Sequence, residues 1–170
     1  MMQNVSVVLT CYNGARWISR AIESILAQTY EDFELVIIDD GSTDNSKEIV
    51  ASHLCDERVR YIYQENRGFS AAVNRGIKES NGDLIGFIGQ DDQWMPNKLE
   101  LQIRYLSEHK DVDLVHSNYC SIDSEGRIIG VRDVKIPDLS SKKKVVEQLF
   151  LSNFIGFETV LVKRKCFDEV

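Results

Sequence analysis

The chain alternates between short apolar runs and amphipathic stretches, and this alternation limits the folds that it can adopt. Residues 5–10, 33–38 and 84–88 are rich in Val, Ile, Leu and Phe and too short for core helices, so each predicts a buried strand. Between them, apolar residues recur at helical spacing, as over residues 15–28 and 97–109. Strands that alternate with helices predict an α/β fold with a mostly parallel central sheet and helices on both faces.

The later part of the chain predicts a small antiparallel element. Residues 112–118 are expected to form a strand, and a turn at 124–126 leads into its expected hairpin partner at 127–131. A loop is expected over 132–141. Three more elements are predicted, namely a helix over 142–150, a strand within 154–163 and a helix that begins at 164. The sequence shows neither an internal repeat nor an interdomain linker, so residues 1–170 are predicted to form a single domain.

Two of the predicted strands end in adjacent carboxylates. Asp39 and Asp40 follow the strand at 33–38, and Asp91 and Asp92 follow the strand at 84–88. Ligands of open parallel sheets bind beyond the carboxyl ends of the strands. Two carboxylates there repel each other unless a cation or a proton lies between them. The pattern therefore indicates a divalent metal site for a phosphorylated ligand, with a solvated loop as the alternative, because Asp is common between strands and helices.

Charge and missing motifs narrow the ligand class. The net charge of −7 disfavours binding to a nucleic-acid backbone, so no nucleic-acid partner is expected. The sequence lacks the G-x-x-x-x-G-K-[ST] motif of P-loop proteins, and no G-x-G-x-x-G follows the first predicted strand. Carboxylates at strand ends instead suit a diphosphate that is held through a metal ion.

Several segments, in this order and spacing, resemble family 2 glycosyltransferases, which have the GT-A fold. They are residues 5–13, 21–30, 33–44, 66–68, 74–76, 81–83 and 90–100, and together they extend over nearly the whole chain. Each segment alone is weak evidence, but their order and spacing together are specific. The resemblance implies a GT-A fold and a nucleotide-sugar-binding domain.

The resemblance also implies roles for residues that match the family's nucleotide-binding segments. Thr10, Tyr12 and Asn13 would hold the nucleotide base, with the Tyr12 ring stacked on it. Asp39 would accept a hydrogen bond from the base, with Asp40 beside it. In the alternative interpretation, Tyr12 is a loop aromatic that covers the sheet and Asp39 is a helix cap.

Asp91 and Asp92 match the family's D-x-D region. The resemblance implies that Asp92 ligates Mn²⁺ or Mg²⁺ and activates the leaving group through it, and that Asp91 reaches the ribose or the metal. Asn74 is the remaining nucleotide-binding residue that the resemblance suggests. The sequence departs from the family at two positions: many members have a carboxylate where Gly89 stands, and many have Arg where Val73 stands.

The implied reaction is metal-dependent transfer of a sugar, with inversion, from a nucleotide-diphosphate donor to an acceptor hydroxyl. A UDP-sugar is the expected donor, and a saccharide or lipid-linked saccharide is the expected acceptor. A carboxylate base would deprotonate the acceptor. Since no motif up to Val170 matches the family's acidic base motif, we expect the chain to be the N-terminal part of a catalytic domain, with the base beyond Val170. The expected location is cytoplasmic, or peripheral on the inner face of the membrane through that further region.

Two other functions are compatible with the sequence. A nucleotidyltransferase also joins an α/β sheet to a metal ion, but it would need a glycine-rich loop after the first strand, where residues 11–14 are Cys-Tyr-Asn-Gly. A non-catalytic nucleotide-sugar-binding module is the alternative from another class, and Gly89 in place of a carboxylate favours it.

Overall fold

A computed structural model describes residues 4–132, 141–151 and 153–168. The strands are β1 Val5–Cys11, β2 Phe33–Asp40, β3 Val59–Gln64, β4 Leu84–Gly89, β5 Leu114–Val115, β6 Tyr119–Ile122, β7 Ile128–Arg132 and β8 Leu161–Lys163. The helices are α1 Ile18–Leu26, α2 Ser46–Ala51, α3 Phe69–Glu79, α4 Lys98–Glu108 and α5 Lys142–Leu151, with 3₁₀ helices at Phe157–Thr159 and Arg164–Phe167.

A six-stranded sheet forms the centre of the molecule, in the order β3-β2-β1-β4-β8-β5. The first four strands of the chain run parallel to one another, and β8 runs antiparallel to both of its neighbours. β6 and β7 form a separate antiparallel hairpin. The predicted α/β fold, with a mostly parallel sheet and a small antiparallel element, is confirmed.

Helices cover both faces of the sheet. α1, α2 and α4 pack against Val5, Val7 and Leu9 on one face, whereas α3 packs on the other face, where Val8 lies. Strands that are buried on both sides need apolar residues at successive positions, which explains the continuous runs in the sequence. α3 approaches β1 closely at Gly76, because a β-carbon there would overlap the side chain of Val8.

The first strand of the hairpin is β6, and not the strand predicted at 112–118. The strand expected at 112–118 is shortened to β5, which pairs only with β8 at the edge of the sheet. The polar run at 116–118 separates it from β6, which is the true partner of β7. Because all five residues of β7 are exposed, the hairpin lies outside the main core.

The helix expected from residue 164 is a 3₁₀ helix of four residues, Arg164–Phe167. Its first side chain explains the position of this segment, since the Arg164 guanidinium donates hydrogen bonds to the carbonyl oxygens of Gly82 and Ile77 near the end of α3. The expected loop at 132–141 falls largely on residues 133–140, which lie outside the described residues, as do 169 and 170.

No helix in the described part of the chain combines the length and the apolar character that crossing a membrane requires.

Candidate functional site

The carboxyl ends of β1, β2 and β4 meet at one edge of the sheet. In the strand pairings, Cys11 lies opposite Asp39, and Thr10 lies opposite Gly89. Seven of the eight predicted site residues lie at these strand ends or in the loops that follow them: Thr10, Asp39 and Asp40 at the ends of strands, and Tyr12, Asn13, Asp91 and Asp92 in loops. Asn74 is the exception: it is exposed on α3, and its side chain has no hydrogen bond to any described residue.

Asp39 is buried and organises the loop after β2. Its Oδ1 accepts a hydrogen bond from the backbone N–H of Ser42 at 2.8 Å, and its Oδ2 accepts one from the Tyr61 hydroxyl at 2.6 Å. Burial, together with this carboxylate, raises the pKa of Tyr61, so the phenol remains a donor at neutral pH. The contact between Asp39 and a nucleotide base stays a prediction.

Asp40 is also buried, and it holds the turn that precedes α3. Its carboxylate accepts hydrogen bonds from the Gln64 side chain at 2.7 Å and from the backbone N–H groups of Arg67 and Gly68 at 2.9 and 2.8 Å. These contacts give Asp40 a structural role at the start of α3. It lies beside Asp39 in the strand, as the sequence predicted.

Side-chain hydrogen bonds join the loop after β1 to the loops after β4 and β2. The Gln90 amide pairs with the backbone of Tyr12, because its Oε1 accepts from Tyr12 N at 2.7 Å and its Nε2 donates to Tyr12 O at 3.2 Å. Asn13, at a φ of 52°, accepts from the backbone N–H of Thr43 at 2.8 Å. With its backbone held in this way, the Tyr12 ring remains 49% exposed at the edge.

The two carboxylates after β4 differ in environment. Asp91 is exposed, whereas Asp92 is partly buried and turns back so that its Oδ2 accepts from Gly89 N at 3.2 Å. Burial raises the pKa of Asp92 to about 6, and the negative charges of Glu158 and Asp91 add to the effect. A β-carbon on Gly89 would lie 2.8 Å from Asp92 Oδ2, so the glycine makes room for this conformation.

Two charged residues behind Asp92 are outside the set that the sequence predicted. The Trp94 indole N–H donates to the carbonyl oxygen of Glu158 at 2.9 Å, and Lys98 Nζ lies 3.9 Å from the centre of the Trp94 ring. Burial lowers the pKa of Lys98 to about 7. Because 60 positions separate Lys98 from Glu158, no local motif links them. The sequence could have indicated Glu158 as a site residue only because it is a carboxylate inside an apolar segment.

A cleft of about 320 Å³ opens beside the two carboxylates. It is lined by the turn before α1, the loop after β4 and the turn of the β6–β7 hairpin. The lining includes Asp91 and Asp92 but none of Thr10, Tyr12, Asn13, Asp39 or Asp40. Asp91 and Asp92 are therefore the part of the edge that faces this cleft. The sequence did not predict the contribution of the α1 turn.

Asp91 and Asp92 suit a hard divalent cation. Among the described residues, no group of three or more His, Cys, Asp or Glu side chains is arranged to hold a metal ion. Mg²⁺ and related ions are, however, commonly held by one or two carboxylates, with phosphate oxygens of the substrate and water completing the shell. Burial and the nearby charges of Glu158 and Asp91 raise the pKa of Asp92, and a bound cation would favour its ionised form.

Comparisons with known proteins identify the family of this chain. The family model described as "Glycosyl transferase family 2" matches residues 6–170, so the chain belongs to that family. Among its relatives, GlyG, a glycosyltransferase of Streptococcus pneumoniae serotype 4, is 34% identical over 181 aligned residues. An uncharacterized glycosyltransferase of Rickettsia bellii is 40% identical over 125 residues.

Solved structures of glycosyltransferases share the fold. Residues 1–349 of TarS from S. aureus, in complex with UDP-GlcNAc, superpose with a TM-score of 0.78 at 20% identity, over 98% of this chain and 47% of that one. The mannosyltransferase PcManGT from Pyrobaculum calidifontis, in complex with GDP-Man and Mn²⁺, gives a TM-score of 0.72 at 19% identity, over 99% and 47%. The expected GT-A fold is confirmed.

The chain matches only part of these proteins. The alignments cover 74% of this chain and 18% of the Rickettsia bellii protein, and 100% of this chain and 60% of GlyG. Family membership and fold therefore apply to the domain described here.

Proposed function

We propose that the domain binds a nucleotide-diphosphate sugar, with a UDP-sugar as the expected donor, for transfer of the sugar to an acceptor hydroxyl. Family membership supports glycosyl transfer as the reaction class. The observation that carries the proposal is the common edge of β1, β2 and β4, where the exposed Tyr12 ring and the Asp91–Asp92 pair stand on loops that Gln90 joins.

The proposed donor site divides between the loops of this edge. Tyr12 offers an exposed aromatic face for the base, and Thr10 and Asn13 belong to the same strand end and loop. Asp39 is proposed to accept a hydrogen bond from the base through a carboxylate lone pair that Ser42 and Tyr61 leave available. Asn74, on α3, completes the proposed set.

Asp91 and Asp92 are the proposed ligands of Mn²⁺ or Mg²⁺. When bound, such an ion neutralises the negative charge that develops on the departing diphosphate. Asp92 is positioned by the Gly89 N–H, which orients one carboxylate oxygen and leaves the other available. Partial burial strengthens the attraction of this carboxylate for a cation, because fewer water molecules compete for it.

We also propose inversion at the anomeric carbon, in a single displacement assisted by a carboxylate base. The family resemblance supports this part of the proposal. The base must come within hydrogen-bond reach of the acceptor hydroxyl. The acceptor is proposed to be a saccharide or a lipid-linked saccharide.

One observation favours a second candidate, a module that binds nucleotide sugars without catalysing transfer. Gly89 stands where many family members have a carboxylate, and Asp92 uses one oxygen to accept the Gly89 N–H. Such a module would bind the nucleotide with little dependence on metal.

Calorimetric titration with UDP, in the presence of Mn²⁺ and then in the presence of EDTA, distinguishes these possibilities. The transferase site predicts binding that is at least tenfold tighter with the metal. Binding of equal strength in both conditions would favour the non-catalytic module. A chain that is folded by circular dichroism but does not bind UDP in either condition would contradict the proposed function.

A further inference from the structure

The wall of the cleft that comes from α1 and its preceding turn carries two guanidinium groups. Arg16 lies in the turn before α1, and Arg20 follows one helical turn later, so both side chains line the same cleft. Arg16 stacks over the Trp17 ring at 4.3 Å, and Arg20 Nη1 donates to the carbonyl oxygen of Ser124 at 2.8 Å. In the described part of the chain, neither guanidinium lies within ion-pair distance of a carboxylate.

The other lining of the cleft is acidic. Asp91 and Asp92 form part of it, and Asp123 lies at the hairpin turn. The Asp123 carboxylate is already engaged, because it accepts hydrogen bonds from the Arg127 side chain at 2.8 Å and from two backbone N–H groups. The guanidinium of Arg16, by contrast, stacks on Trp17 and is without a hydrogen bond or ion pair to the described residues, and Arg16 lines the cleft.

We propose that Arg16 and Arg20 bind a phosphate or carboxylate group on the acceptor, so that the accepted substrate is an anionic saccharide or a similarly charged polyol. Planar guanidinium groups recognise such anions through paired, charge-assisted hydrogen bonds. A cleft of about 320 Å³ has room for one sugar unit. An acceptor anchored here would place a hydroxyl near Asp91 and Asp92, so the inference rests on the proposed function.

The donor itself carries phosphate groups, and it is the competing occupant of this wall. The donor site proposed above runs from Tyr12 and Asp39 to Asp91 and Asp92. The lining of the cleft includes the same two carboxylates and residues of α1 and its preceding turn, but none of the residues proposed for the base. A donor whose diphosphate is held at Asp92 therefore leaves the arginine wall open to a second molecule.

Calorimetry on the 170-residue chain, already saturated with UDP and Mn²⁺, tests the assignment. The probes are glucose 6-phosphate, glucuronate and neutral glucose. We expect saturable binding of both anionic sugars, at least tenfold tighter than that of glucose. Arg16→Gln should weaken the anionic sugars at least fivefold while leaving glucose binding unchanged or stronger, because it removes the charge and uncovers the Trp17 ring.

Arg104→Gln is the matched control, since it makes the same change of charge on the exposed side of α4, away from the cleft. It should leave all three sugars and UDP unaffected. The inference fails if glucose binds as tightly as the anionic sugars, or if none of them binds to the UDP-saturated chain. It also fails if Arg16→Gln weakens UDP itself, which would assign the wall to the donor diphosphate. Failure of UDP to bind the parent chain would instead contradict the proposed function.

Discussion

At the residue scale, the two carboxylate pairs of the site have different roles. Asp39 and Asp40 are buried, and they accept hydrogen bonds that hold the loops after β2 and before α3. Asp91 is exposed, and Asp92 has a raised pKa and a single backbone donor. The second pair is therefore better placed to meet a cation, whereas the first pair stabilises the edge against which a nucleotide would lie.

Substitutions at Tyr12 test whether its ring stacks on the nucleotide base. Tyr12→Ala should weaken UDP binding by about 1–3 kcal/mol, which is the range for a base stacked on an aromatic ring. Tyr12→Phe should cost much less, because stacking uses the face of the ring and the hydroxyl is dispensable. Both variants should keep the stability of the parent, since half of the ring is exposed. Calorimetry supplies the affinities, and equal losses in the two variants would rule out stacking as the main contact.

At the element scale, Gln90 connects the loop after β1 with the loop after β4. Its amide makes both hydrogen bonds of the Tyr12 backbone described above. Gln90→Ala removes both bonds and frees the Tyr12 loop, so UDP affinity should fall by about 1 kcal/mol. Gln148→Ala is the control, because it makes the same change at an exposed position of α5 that does not line the cleft. Equal UDP affinities in the parent and the Gln90 variant would show that the loop holds its conformation without the amide.

Lys98 is buried where α4 packs against the Phe157–Thr159 segment, and its pKa reports on that packing. The residue is 9% exposed, and its ammonium group lies over the Trp94 ring and is hydrogen-bonded to Gln102 Oε1 at 2.8 Å. The pKa is about 7 in the folded chain, against about 10.4 for an exposed lysine. Between these values the unfolded chain binds more protons than the folded chain, so the free energy of unfolding rises with pH.

This difference predicts a specific result for Lys98→Met. From pH 7 to pH 9, the free energy of unfolding of the parent should rise by about 2 kcal/mol more than that of the variant. Urea titrations at the two pH values measure it, and comparison with the variant removes the contribution of the other titrating groups. Parallel changes in the two proteins would show that the Lys98 ammonium group retains an ordinary pKa in the folded chain.

At the scale of the whole molecule, the sequence predicts best the part of the fold that is buried on both faces. β1, β2 and β4 follow from continuous apolar runs, and their parallel order places Asp39, Asp40, Asp91 and Asp92 at one edge. The hairpin is less predictable, because β7 is exposed and β6 is only partly buried, so both strands have weak hydrophobic patterns. The apolar residues at 112–115 produced the more prominent signal, although only two of them form a strand.

The site residues that the sequence did not predict come together through packing between distant segments. Lys98 and Glu158 come together only because α4 and the Phe157–Thr159 segment pack on the same Trp94 ring. Arg16 and Arg20 line a cleft only because the turn of the β6–β7 hairpin forms another side of it and contacts Arg20. Such contacts depend on the packing of elements distant in sequence, whereas the carboxylate pairs are marked locally by the strand ends that carry them.

Asp92 is proposed to make nucleotide binding depend on a divalent metal. Asp92→Asn removes the negative charge while keeping an oxygen that can accept the Gly89 N–H, so the fold should be preserved. Asp111→Asn is the matched control, because it makes the same change of charge at an exposed position in the turn after α4.

Calorimetric titration of UDP into the parent and the two variants, with Mn²⁺ and with EDTA, is the most direct measurement. Mn²⁺ should tighten UDP binding at least tenfold in the parent and in Asp111→Asn. The effect of Mn²⁺ should be less than twofold in Asp92→Asn, whose thermal stability at neutral pH should equal or exceed that of the parent, because Asn removes the partly buried charge that raises the Asp92 pKa. An Asp92→Asn chain that binds UDP with Mn²⁺ as tightly as the parent would contradict the metal assignment.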